Sequence, residues 1–142
     1  MATALVALVA IAGCAGPSRT YDDYQSKAVN TVKAATSALQ TARLAVQAQR
    51  RGNTTVPYLS VILGQAEENI GSVQGTFDSV QPPDTRADKT RTAVDDLLTQ
   101  AGDGLSALRI AVRRGQLSEL PTIASALDKL VTAMNRFQSA NS

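Results

Sequence analysis

There is no histidine in this chain, no tryptophan, and only one cysteine. The missing histidine removes the commonest general acid–base group and the commonest transition-metal ligand. A single cysteine excludes an internal disulfide framework. Aromatic residues are scarce, at 4%. Neither charge sign dominates: 14 Lys and Arg against 12 Asp and Glu leave +2, which does not mark a nucleic-acid binder. No Gly-rich phosphate loop follows a strand, and no Gly-x-Ser-x-Gly elbow is present. What remains is 142 residues, 44% of them hydrophobic, enough for one domain with its own core.

Met1 to Ala12 carries no charge and is almost wholly apolar from Leu5 through Ile11. The run is far shorter than the ~20 residues of a membrane-spanning helix. It matches the roughly 7–15-residue core of a secretory signal. It ends in Ile11-Ala12-Gly13-Cys14, an aliphatic residue and two small ones before the lone cysteine, and Gly16-Pro17-Ser18 breaks the chain after it. That tetrapeptide resembles the lipobox of bacterial lipoproteins. The resemblance implies that residues 1–13 are a signal peptide that is cut away. Cys14 would then carry a diacylglycerol as the first mature residue, with residues 14–19 as a tether. Two acyl chains suffice for stable anchoring, so the expected place is the extracytoplasmic face of a bacterial cell membrane. The positive residue that usually precedes such a core is missing, which leaves open whether Met1 is the true start. The competing reading is a small buried cysteine at the end of a core helix.

From Tyr21 onward, apolar residues recur at alternating spacings of four and three, the seam of bundles and coiled coils. The first stretch gives Ala28, Val32, Ala35, Leu39, Ala42 and Val46. The second gives Val56, Leu59, Leu63, Ala66, Ile70, Val73, Phe77 and Val80. The third gives Val94, Leu98, Ala101, Leu105, Leu108 and Val112, and the fourth Leu120, Ile123, Leu127, Leu130, Met134 and Phe137. The first and third series superimpose at an offset of 66, as in Val46 and Val112. The second and fourth superimpose at 64, as in Val56 and Leu120. Arg51-Gly52 answers Arg114-Gly115, and Pro57 answers Pro121. These matches imply a duplicated helical hairpin. The expected fold over residues 20–142 is all-α, an antiparallel up-down-up-down four-helix bundle with helices of roughly 35–45 Å.

The punctuation has chemical reasons. Thr20 with Asp23, and Thr85 with Asp88, resemble capping boxes. Thr54 and Ser118 are candidate N-caps. Gly52 and Gly115 suit the left-handed residue that closes a helix. Pro57 and Pro121 fall in first turns, where a missing N–H is harmless, and Pro82-Pro83 separates the hairpins. Gly102 and Gly104 weaken the third helix and suggest a kink. Gly71 and Gly75 suggest a close helix crossing, with self-association as the rival reading.

No catalytic set emerges. The seam is wholly apolar, so an internal di-metal carboxylate site has no ligands. Glu67-Glu68 and Asp95-Asp96 are adjacent pairs that point about 100° apart on a helix, which reads as solvated surface. We therefore expect no enzyme, no metal and no cofactor. Two surfaces remain. Arg50, Arg51, Arg113 and Arg114 fall at the ends of the first and third helices and would gather at the tip far from the anchor. Cations there complement helix dipoles, or they form a binding tip for an anionic polymer or acidic protein. Phe77, Met134 and Phe137 pack the core near the anchor or floor an apolar pocket. The sequence points to a lipid-anchored interaction or scaffold protein of the bacterial envelope, with its partner unnamed. Its rival is a bundle that holds an apolar or amphiphilic small molecule between its hairpins.

Overall fold

A computed structural model describes residues 18–142, so the lipobox and Cys14 lie outside the described residues. Four helices run up, down, up and down: α1 Tyr21–Arg50, α2 Val56–Asp78, α3 Thr85–Arg113 and α4 Leu120–Asn141. A short 3-10 turn, Leu117–Glu119, precedes α4. The all-α four-helix bundle expected from the periodicity is present.

The seams decide the packing. Every seam position of α1 and α3 is buried, and the α2 and α4 positions follow except Val56, Val73, Ile123 and Phe137, which are half-buried. Helix α1 packs on α2, α3 and α4, and α3 on α1, α2 and α4, while the α2 and α4 backbones stand farther apart, with no Cα pair within 8 Å. The buried alanines of the central pair explain this. Ala28, Ala35 and Ala42 on α1, with Ala101 on α3, add little side-chain bulk between backbones, so the α1–α3 diagonal closes and the other diagonal opens.

The ends are set by local hydrogen bonds. Thr20 caps α1, its hydroxyl accepting from the Asp23 N–H at 3.2 Å. The α3 cap is Asp84 rather than Thr85, its carboxylate accepting from the Ala87 N–H at 2.8 Å. One residue of shift gives a carboxylate at a dipole terminus where a hydroxyl was expected. Thr55, not Thr54, caps α2. Ser118 caps nothing, because it falls inside the 3-10 turn. Val80 lies beyond the end of α2 yet stays buried, held by its N–H to the Phe77 carbonyl at 2.9 Å.

Gly52 and Gly115 adopt φ of 73° and 71°. In both turns the glycine N–H reaches back three residues, to Gln49 and to Val112. The next N–H reaches back five, from Asn53 to Ala48 and from Gln116 to Ala111, each at 2.9 Å. The two hairpin ends thus repeat one Schellman motif bond for bond. Gly102 and Gly104 sit inside an unbroken α3. Gly71 and Gly75 mark no crossing: both are exposed, and an added Cβ meets nothing within 4 Å.

Candidate functional site

The repeated Schellman turn places arginines at the same two steps of each helix end. Arg50 and Arg113 are the last residues of α1 and α3, and Arg51 and Arg114 are the caps. All four are exposed. Among the described residues none makes a side-chain hydrogen bond or ion pair, whereas Arg43, Arg91 and Arg109 are engaged with Asp128, Asp78 and Glu67. Two shallow hollows flank the tip. One, of about 370 Å3, is lined by Gln47, Arg50 and Arg51, and the other, of about 320 Å3, by Ile110, Arg113 and Arg114.

The field at this end comes from side chains. Two helix C-termini and two N-termini meet there, so their partial charges of about half a unit largely cancel. The first turns of α2 and α4 carry no acid. Glu119 is the carboxylate beside them, and the Gln116 amide donates to it at 3.0 Å. At the opposite end Asp22, Asp23, Asp84 and Asp88 gather at the starts of α1 and α3. The tip is therefore positive, whereas the opposite end carries both signs, with Arg19, Lys27, Arg86 and Lys89 standing among its acids.

The other sequence candidates are dispersed. Phe77 and Met134 are inside the core and Phe137 is half-buried. The Phe77 ring packs on Tyr24 with centroids 5.4 Å apart, and the Met134 sulfur accepts from the Thr36 hydroxyl at 3.5 Å. Glu67 is taken by Arg109 through two bonds, of 2.5 and 3.3 Å, while Glu68 faces solvent. No group of three or more metal-ligating side chains occurs among the described residues. No described helix is long and apolar enough to cross a membrane.

Sequence periodicity passed over a polar knot at the end of the bundle where α1 begins. Tyr24 is fully buried, four residues before the first seam alanine, and its hydroxyl has no partner. Arg91 bridges two carboxylates, Asp78 at 3.6 Å and Asp95 at 3.7 Å, and donates to the Asp78 carbonyl at 3.0 Å. One Asp95 oxygen is buried and unpartnered. Loss of solvent, and then the neighbouring Asp78 carboxylate, push Asp95 up from the usual carboxylate value, against the pull of Arg91. Burial likewise pushes the Tyr24 phenol up. Extending the α1 series one step back from Ala28 would have found Tyr24; nothing in the periodicity signals the knot. Comparison with protein-family models, with curated proteins and with solved structures finds no match.

Proposed function

We propose that the chain is a lipid-anchored scaffold module of the bacterial envelope, tethered through Cys14, which offers its arginine tip to an anionic wall polymer or an acidic protein surface. The observation that carries the reading is the set of four exposed, unpaired guanidiniums at the end farthest from the N-terminus. A 30-residue α1 lifts that tip about 45 Å above its anchor. Guanidiniums present a planar fork of donors that fits carboxylate and phosphate oxygens. The dry seam supports a binding role over a catalytic one.

The test is crosslinking in intact cells, with the captured partner identified by mass spectrometry. Changing Arg50, Arg51, Arg113 and Arg114 together to Ser should abolish capture of that partner. Capture of the purified partner should also weaken as salt rises, because exposed charges are screened within about 8–10 Å at physiological ionic strength. Undiminished capture by the quadruple variant rejects the tip. Separately, Cys14→Ser should abolish acyl labelling and release the protein from membranes. Persistent labelling removes Cys14 as the lipid site.

A further inference from the structure

The duplicated halves differ on one face. Between α1 and α2 runs an open groove of about 410 Å3, walled by Ala34, Ala38 and Thr41 on one side and Ala66, Asn69 and Ser72 on the other. No charged residue lines it. The equivalent positions between α3 and α4 carry larger and charged residues. There Leu130 replaces Ala66 and Phe137 replaces Val73, while Lys129, Arg136 and Asp103 stand where Gln65, Ser72 and Ser37 stand in the first hairpin. The repeat thus offers its own comparison, large and charged residues in one half where the other half has small uncharged ones.

The empty slot has large apolar neighbours. Tyr58 is 57% exposed, Val61 55% and Leu44 65%. Tyr58, Gln65 and Ser72 are spaced by seven, so Tyr58 continues the face that the groove opens on, about 10 Å nearer the tip. The α4 equivalents of Tyr58 and Val61 are Thr122 and Ser125. Protrusion and recess therefore lie end to end on one surface.

We propose that this face docks a second copy of the chain, antiparallel, with Tyr58 and Val61 of each copy seated in the other's groove. A two-fold interface uses the same patch twice, so one patch must hold both the knob and its hole. The two-fold axis crosses near Gln65, midway between them. A parallel pair would set groove on groove and leave both empty. The face spans the 23 residues of α2, about 35 Å, by two helix widths, giving roughly 700 Å2 per copy against the ~800 Å2 of a standard interface. The N-terminal ends then lie at opposite ends of the pair, so copies tethered to one flat membrane do not form it.

Sedimentation of the full chain carrying Cys14→Ser, in detergent, should show a dimer at tens of micromolar. Tyr58→Glu and Val61→Glu, both at exposed positions, should each weaken it about thirtyfold or more while helicity by circular dichroism is unchanged. Thr122→Glu, at the α4 position matching Tyr58, should leave the dimer intact. In the same background Gln65→Cys should form a disulfide-linked dimer on oxidation. A chain that stays monomeric at hundreds of micromolar overturns the proposal and leaves the groove to another protein's helix. So does a dimer indifferent to Tyr58→Glu, or one in which Gln65→Cys does not crosslink. Arg-tip variants do not enter these outcomes.

Discussion

Tyr24 is a residue that the core holds at a cost. Its ring packs on Phe77, but its buried hydroxyl has no partner, and an unsatisfied buried polar group costs about 1–3 kcal/mol. Tyr24→Phe keeps the ring and removes the hydroxyl. Urea unfolding should show a gain of about 1 kcal/mol, and a loss would mean that the hydroxyl is satisfied by water. Asp95 is held above its ordinary value, first by desolvation and then by Asp78. A group raised in the folded state favours folding when protonated, so its contribution is complete at acid pH and is lost as pH rises through its own elevated value. Asp95→Asn should therefore raise the melting temperature at pH 7, and the advantage should vanish below the ordinary carboxylate range. A gap that widens on acidification would contradict the assignment.

At the scale of elements, glycines that look alike in sequence have opposite roles. A Cβ on Gly104 would lie 2.4 Å from the Leu127 Cδ2, so this glycine lets α4 press on α3. Gly104→Ala should lower stability by about 1 kcal/mol, because overpacking outweighs the helix-propensity gain. Gly71→Ala, with nothing within 4 Å, should gain about 0.5–1 kcal/mol, and thermal melts of the two variants decide both signs. The same contrast shows what was legible. Helix number, the seams and the two glycine turns could be read because the apolar period of 3.6 and the Arg-Gly pairs are local patterns. The Asp84 cap was hidden because Thr85 three before Asp88 mimics a capping box. Gly71 and Gly75 misled because spacing says nothing of which face they occupy. The α1–α2 groove was invisible because a void depends on what two helices fail to fill. The arginine tip was legible as an assembly of helix ends, since antiparallel topology alone brings Arg50 and Arg113 to one end.

For the whole molecule, the ion pairs Arg43–Asp128, Arg91–Asp78 and Arg109–Glu67 join neighbouring helices at the surface. Exposed pairs of this kind contribute about 0–1 kcal/mol each, so they favour the pairing of neighbours more than they stabilise the bundle. With the helix dipoles largely cancelled at the arginine tip and all four guanidiniums exposed and unpaired, the quadruple Arg→Ser variant should unfold in denaturant close to the parent midpoint, so that a loss of binding reads the tip itself.

The closed diagonal has a kinetic consequence. Since no Cα of α2 comes within 8 Å of one in α4, each leans chiefly on the α1–α3 spine and can detach while the other stays seated. Amide exchange under native conditions should resolve two opening events, α2 and α4 each releasing as a unit, around a spine that exchanges only with global unfolding. A single exchange rate for all four helices would show that the flanking pair is coupled through the spine after all.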